Sequence, residues 1–406
     1  MEHGEFYNDE HNYRCSVSIL NPKYEELRKW SAISSILSSS ASVAGCLLII
    51  VTYWCWRDLR TTSRTILLYI AIADLATALG YIFGSSTYLN CNFYNVTRDR
   101  CNSGTYDTSN GCQRSYPYLC KWQSFFTTWS SICSFFWTTI LAFYLYMTIV
   151  HKMYKMVRKM MPLFHVLSWG VGLVLCTAAV IKHWLGPSVD NTAVSWCFIS
   201  DEHYNNTESY GVNISVSFMQ LLMGKGWEMT CYVLIVGFYL ATKIYIEIEK
   251  RRPLHYPVYT TVLKLDKKVL FIPMVFLLVR VWGTIRFIIS WSSLCDLKNA
   301  CHSLHDFCSC ENILYHPLIV FLQAIGDGAQ GWANAILFVI FSAKVRGRLK
   351  HSIKNASWKL NSTSDRNEDI TDYGTINPQE ESPTASLTAA TPTLLYSGSA
   401  SPRNVK

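Results

Sequence analysis

Charged residues are scarce in this chain. Only 16% of its 406 residues are Asp, Glu, Lys or Arg, while half are hydrophobic. Soluble proteins usually carry about 25% charged residues, so the composition argues against a soluble protein. Charged residues collect between the long apolar segments and in the tail, and the formal net charge is +8. We therefore analyse the charge loop by loop and expect no nucleic-acid partner.

Two other kinds of signal are missing. Residues 1–24 are polar, with neither the apolar core nor the cleavage site of a secretory signal peptide, so we expect the first apolar segment to direct insertion. The chain also lacks a glycine-rich phosphate loop, a nucleophile elbow and a metal-spaced His/Glu helix. We accordingly expect no catalytic residue, no metal site and no cofactor.

Long apolar segments are abundant. The segment from Trp122 to Val150 has no charged side chain, and a helix of this length crosses a hydrocarbon layer about 30 Å thick. Hydroxyl residues recur along it, at Ser124, Thr127, Thr128, Ser130, Ser131, Ser134, Thr138 and Thr139. Small hydroxyl side chains let neighbouring membrane helices approach closely. We therefore predict a central membrane helix with protein around most of its circumference.

Seven segments satisfy the length and charge criteria for membrane spans. They are Ser31–Tyr53, Thr65–Tyr88, Lys121–Val150, Leu163–Leu185, Val212–Tyr245, Val269–Trp291 and Tyr315–Ala343. The sequence thus predicts an all-α fold, a seven-transmembrane helix bundle, embedded in the lipid bilayer as a multi-pass plasma-membrane protein.

The distribution of Lys and Arg predicts the orientation, because cytoplasmic loops are enriched in these residues. One set of loops is rich in them, with Arg57, Arg60, Arg64, Lys152, Lys155, Arg158, Lys159, Lys243, Lys250, Arg251, Arg252, Lys264, Lys267 and Lys268. The opposite side has far fewer, even counting those before the first span. The N-terminus is therefore predicted outside and the C-terminus inside.

Cysteines and glycan acceptors agree with this orientation. Ten of the 15 cysteines lie on the predicted outer side, where disulfides form, and their connectivity in the first and third outer loops stays open. Three glycosylation sequences also lie outside, with their acceptors at Asn95, Asn205 and Asn213.

Composition divides the chain into four parts. Residues 1–30 form a short extracellular N-terminus, 31–343 the seven-transmembrane domain, 344–356 a basic segment and 357–406 a tail rich in Ser, Thr, Pro and Asn. In the basic segment Val345, Leu349 and Ile353 recur every four residues, as in a short amphipathic helix on the inner membrane surface; a stop-transfer cluster is the alternative. The tail has too little apolar surface to fold, so we predict disorder.

Several short motifs occur in order along the chain. They are Ile70–Leu75, Ser134–Trp137, Tyr144–Tyr146, Phe164–Gly170, Ser195–Cys197, Gly224–Met229, Asp266–Lys268, Arg280–Trp282 and Gln330–Asn334. With seven spans and a cysteine opening the third, the chain resembles G-protein coupled receptors of the group between slime-mould cyclic-AMP receptors and the secretin/adhesion (family 2) receptors. It lacks the acidic-Arg-Tyr ending of helix 3 that rhodopsin-like receptors carry.

The resemblance implies a function and its partners. A receptor of this kind transmits binding of an extracellular ligand, here unknown, to heterotrimeric G proteins by helix rearrangement. It also implies a disulfide between Cys120 and Cys197. The inner surface facing the G protein would include Lys152, Lys155, Arg158, Lys264, Lys267 and Lys268.

Six ionisable residues fall at membrane depth and are expected to form a polar network: Asp74, Lys225, Glu228, Arg280, Arg286 and Asp327. Such a network either links a ligand cavity to helix movement or only joins helices structurally. Lys225 and Glu228 share a helix face and could neutralise each other. Arg280, at similar depth to Glu228 and Asp327, is predicted to pair with one of these two acids.

Alternative interpretations concern the function of the chain and the glycines of its last span. A channel or transporter with a seven-helix bundle is the alternative function, although no repeat between the two halves supports it. A retinal photoreceptor would need a lysine in the last span, which Tyr315–Ala343 does not contain. The glycines of the Gly326–Gly331 run either permit a kink in that span or only allow close packing.

Overall fold

The computed structural model describes residues 22–90, 111–186, 196–199, 218–251, 271–299, 316–342, 345–348, 350 and 351. We label the principal helices α1 to α7. Their bounds are α1 Pro22–Cys55, α2 Thr62–Asn90, α3 Gly111–Ile149, α4 Met161–Ile181, α5 Leu221–Lys225 continued by Gly226–Lys250, α6 Phe271–Asn299, and α7 Pro317–Gly328 followed by Gln330–Phe341.

Within the described residues, six helices, α1 to α6, are long and apolar enough to cross a membrane. The seventh predicted span is present as two helical halves that meet at Ala329. The fourth span is shorter than predicted, because α4 ends at Ile181 and Leu185 begins a β-strand instead. Both α4 and α5 contain one π turn, at Val166–Gly170 and Leu221–Lys225.

The helix α3 lies at the centre of the bundle. In the most apolar 18-residue stretch of each helix, 72% of the residues of α3 are buried, against 28% for α4 and 17% for α5. It contacts α2, α4, α5 and α6, and its hydroxyl residues Ser124, Ser134 and Thr138 are fully buried. The hydroxyl-rich sequence of α3 therefore correctly predicts a helix enclosed by protein.

Serines of α1 compensate for the break in α7. The hydroxyl of Ser42 donates a hydrogen bond to the Gly328 carbonyl, and that of Ser38 donates to the Ile325 carbonyl at 2.7 Å. A Cβ on Gly331 would lie 2.8 Å from the Ser42 carbonyl oxygen, so only glycine fits this close approach. The glycine run thus lies both at an interruption of the helix and in a close contact with α1.

A two-stranded antiparallel hairpin lies beside one end of α3. Its strands are β1, Leu185–Gly186, and β2, Phe198–Ile199. A disulfide joins Cys197, just before β2, to Cys120 on α3, with the Cα atoms 5.3 Å apart. We call this end of the bundle the disulfide end, and the opposite end, which holds Arg60 and Lys152, the basic end.

The segment after α7 is described only in part. Residues 345–348 are helical, and Val345 is buried. Of a second compact unit, Arg348–Lys406, only Arg348, Lys350 and His351 are described. The rest of the predicted surface helix and the tail lie outside the described residues.

Candidate functional site

A cavity of about 80 Å³ lies between five helices near the disulfide end. Residues of α2, α3, α5, α6 and α7 line it, together with the hairpin segment that carries Cys197. The lining residues are Tyr81, Thr127, Thr128, Ser131, Ile132, Phe135, Trp196, Cys197, Phe198, Gln220, Gly224, Lys225, Glu228, Arg280, Phe287, Gln323 and Asp327. Most are polar, and four carry a formal charge, an unusual concentration for the interior of a membrane protein.

The hairpin segment is fixed in place by more than the disulfide. The backbone N–H of Cys197 donates to the Gln123 side-chain oxygen at 2.8 Å. The ring of Trp196 packs against Tyr81, with their centroids 4.8 Å apart. These contacts to α2 and α3 hold Trp196 and Phe198 against the cavity.

The first charged group at the cavity is an ion pair on α5. The ammonium of Lys225 lies 2.7 Å from the carboxylate of Glu228. Glu228 also accepts hydrogen bonds from Tyr232 at 2.6 Å and Thr284 at 3.2 Å. Lys225 is the last residue of the α5 π turn, an irregularity that often occurs at functional sites. The two residues thus neutralise each other, as their spacing on one helix face suggests.

Arg280 does not form the predicted ion pair. In the part of the chain that the structure describes, neither Glu228 nor Asp327 pairs with it, and its Nε and Nη2 atoms have no hydrogen-bond partner. Its guanidinium carbon instead lies 5.0 Å from the centroid of the Phe135 ring. Lys225, on the same helix face as Glu228 and one turn away, takes the position at that acid that was predicted for Arg280.

Asp327 and Arg286 are linked through an amide. The Arg286 guanidinium donates to the Gln323 side-chain oxygen at 2.5 Å, and the Gln323 amide donates to Asp327 Oδ2 at 3.2 Å. The second carboxylate oxygen of Asp327, Oδ1, has no hydrogen-bond partner among the described residues. Gln323 therefore connects a buried cation on α6 with an acid on α7.

The third acid at membrane depth, Asp74, belongs to a separate cluster. It accepts hydrogen bonds from Ser134 at 2.5 Å and from the Asn334 amide at 3.1 Å. This cluster joins α2, α3 and α7, and neither Asp74 nor Asn334 lines the cavity. These contacts place Asp74 apart from Glu228 and Asp327, the two acids that line the cavity.

Sequence analysis missed several residues of this site. Tyr232, Thr284 and Gln323 supply the uncharged hydrogen-bond donors to the two acids of the cavity. They are uncharged, so a search for ionisable residues could not select them. The sequence did carry a signal for two of them: Tyr232 follows Glu228 by four residues and Gln323 precedes Asp327 by four, which places each pair on one helix face.

The basic end carries the other predicted site. Lys152, Lys155 and Arg158 are exposed there, on and before the short helix Tyr154–Lys159. Lys264, Lys267 and Lys268 lie outside the described residues, as do the glycan acceptors Asn95, Asn205 and Asn213.

Comparison with known proteins decides the family. The chain is 31% identical to human G-protein coupled receptor 157 over 323 residues, which cover 77% of this chain and 81% of that protein. It is 30% identical to the rat protein of that name over 334 residues, covering 80% and 86%. The chain belongs to the G-protein coupled receptor family. Residues 29–223 of the receptor also match the family described as 7 transmembrane receptor (Secretin family).

A more distant similarity agrees with the sequence motifs. The receptor is 23% identical over 164 residues to cyclic AMP receptor-like protein A of Dictyostelium discoideum, covering 40% of this chain and 35% of that protein. The resemblance inferred from the motifs is therefore confirmed. The receptor is a multi-pass plasma-membrane protein whose ligand is unidentified, and these relatives give no support to a channel or transporter.

Proposed function

We propose that the receptor binds its extracellular ligand in the cavity at the disulfide end and transmits the signal to heterotrimeric G proteins at the basic end. One observation carries the proposal: charged and hydroxyl side chains of five helices converge on a single cavity beneath the disulfide-linked hairpin. A ligand there contacts α3, α5, α6 and α7 together, so its binding energy can shift these helices relative to one another.

The orientation proposed from Lys and Arg places the disulfide end outside the cell, as a disulfide requires. The N-terminus, residues 1–30, and the glycan acceptors Asn95, Asn205 and Asn213 would then be extracellular. The basic segment 344–356 would lie as an amphipathic helix on the inner membrane surface, followed by the disordered cytoplasmic tail 357–406.

We propose that the path from the cavity to the basic end runs along α7 and its contacts with α2. Asp327 lines the cavity, and Ala329, where the two halves of α7 meet, follows two residues later. Below this point Asn334 contacts Asp74, and Ser342 accepts a hydrogen bond from Arg64 at 3.0 Å. A shift of Asp327 on ligand binding would therefore reach the basic end through contacts between α7 and α2.

Neutralising Lys264, Lys267 and Lys268 together, each to Gln, tests the G-protein surface. We expect basal G-protein dissociation in cells to fall severalfold at equal surface expression, because basic groups there steer and hold the partner. The matched control neutralises Lys23, Arg28 and Lys29 near the start of α1, and we expect it to leave coupling unchanged. Equal coupling in both triple variants would mean that the three lysines only set membrane topology.

A further inference from the structure

The cavity presents one unpartnered cationic edge and one unpartnered anionic atom. Arg280 is 3% exposed and Asp327 5%, so both side chains are buried at the cavity wall. The Nε and Nη2 atoms of Arg280 and the Oδ1 atom of Asp327 have no hydrogen-bond partner within the described protein. Burying such groups is costly unless something binds them.

The free atoms of Arg280 are chemically specific. Nε and Nη2 form one edge of the guanidinium, and their two N–H groups point in parallel directions. This edge matches the two oxygens of a carboxylate, which it binds with a pair of parallel hydrogen bonds. The Phe135 ring, 5.0 Å from the guanidinium carbon, supports the cation from the side.

The charges of the cavity limit which ligands fit. Lys225 and Arg280 contribute two positive charges and Glu228 and Asp327 two negative charges, so the formal sum is zero. A ligand with a single charge would leave one buried charge uncompensated. A ligand with one carboxylate and one ammonium keeps the balance and satisfies both unpartnered groups.

The size of the cavity further limits the class of ligand that fits. A water-sized group needs about 10–15 Å³ by this measure. A volume of about 80 Å³ therefore holds roughly five to eight non-hydrogen atoms. That is the size of a small amino acid, and a cyclic nucleotide is several times larger.

Resting on the proposed function, which makes this cavity the ligand site, we propose that the receptor's ligand is a small zwitterion of amino-acid type. Its carboxylate binds the Nε and Nη2 edge of Arg280, and its ammonium binds Oδ1 of Asp327. Lys225 and Glu228 remain bound to each other, so neither of them pairs with a charged group of the ligand.

Matched probes test the charge requirement directly. The purified full chain in lipid nanodiscs is titrated with L-alanine, β-alanine and γ-aminobutyrate, and its melting temperature is followed, since a bound ligand stabilises the folded protein. Propionate and butyrate lack the ammonium, while ethylamine and propylamine lack the carboxylate. We expect at least one zwitterion to raise Tm and its two singly charged analogues to raise it far less. Equal shifts with an analogue, a shift with cyclic AMP alone, or no shift with any zwitterion would overturn the proposal.

Variants test the two contacts. Arg280→Gln and Asp327→Asn remove one charge each with little change in size, and each should weaken binding of the active zwitterion roughly tenfold or more. Arg280→Lys, which keeps the charge but loses the parallel N–H edge, is the substitute if Arg280→Gln does not reach the cell surface. Lys182→Gln, an exposed charge at the disulfide end of α4, is the control and should bind normally. Undiminished binding by Arg280→Lys and Asp327→Asn would contradict the assigned contacts.

The G-protein response separates this inference from the proposed function. If a zwitterion binds but G-protein dissociation does not change with it, the proposed signalling role fails and the ligand class stands. If an anionic ligand drives G-protein dissociation while no zwitterion binds, the ligand class fails and the signalling role stands.

Discussion

At the scale of single residues, burial and hydrogen bonding explain how the membrane tolerates Glu228. The residue is 2% exposed, yet it receives hydrogen bonds from Lys225, Tyr232 and Thr284. These three donors come from α5 and α6, so the acid also joins the two helices. An acid with fewer donors at this depth would remain a costly buried charge.

Removing this acid tests the pair. Glu228→Ala leaves the Lys225 ammonium without its partner, and breaking a buried pair typically costs about 3–5 kcal/mol. We expect the lower part of that range because Lys225 is 16% exposed. The loss should appear as a lower Tm of the purified receptor.

The double variant Lys225→Met with Glu228→Ala is the control for the pair. It removes both charges, so its loss of Tm should be smaller than the sum of the losses that Lys225→Met and Glu228→Ala cause when each is made alone. Strictly additive losses would show that the two side chains contribute independently.

At the scale of helices, glycine sets how closely α6 and α7 approach. A Cβ on Gly326 would overlap the Val279 carbonyl oxygen of α6, and one on Gly283 would lie 3.0 Å from the Lys225 ammonium and 3.3 Å from Asp327 Oδ1. The ammonium and this oxygen therefore flank Gly283, and a bulkier residue there would displace both. The geometry of the cavity thus depends on Gly283 and Gly326, although neither has a side chain that could bind a ligand.

Gly326→Ala measures this dependence. We expect it to lower surface expression and Tm, because the added methyl group forces α7 away from α6, and such overpacking costs about 1–3 kcal/mol. The same change at Gly237 on α5, where nothing lies within 4 Å of the added Cβ, is the matched control. There alanine should be neutral or stabilise the helix by up to about 1 kcal/mol. Similar losses at both positions would contradict the packing argument.

At the scale of the whole molecule, the disulfide connects a short hairpin to the central helix. Cys120 and Cys197 are 77 positions apart in the sequence, and all of α4 lies between them. Among the described residues, Cys46, Cys133, Cys176 and Cys231 are free and buried, while Cys55 is free and exposed. The disulfide thus joins α3, which lines the cavity, covalently to the hairpin segment that also lines it.

Cys197→Ser tests the importance of that link. A disulfide typically stabilises a fold by about 2–4 kcal/mol, so we expect a large loss of surface expression in cells. Cys55→Ser, which removes a free thiol, should express normally. If non-reducing peptide mapping joined Cys197 to a cysteine other than Cys120, this explanation would be wrong.

The sequence by itself determined the membrane class, the approximate spans and the receptor family. Span length and charge are local properties that follow from the thickness and dielectric of the bilayer. The Lys225–Glu228 pair was also accessible, because residues three apart on a helix are neighbours whatever surrounds them.

Only the tertiary structure decided the rest. The surroundings of Arg280, the role of Gln323 and the break at Ala329 depend on how each helix is rotated and shifted against its neighbours. Those quantities result from side-chain packing across interfaces, such as that of Gly326 with Val279, and hydropathy along one chain does not specify them. For this reason the cation and the acids could be placed at one depth from sequence, while their pairing could not.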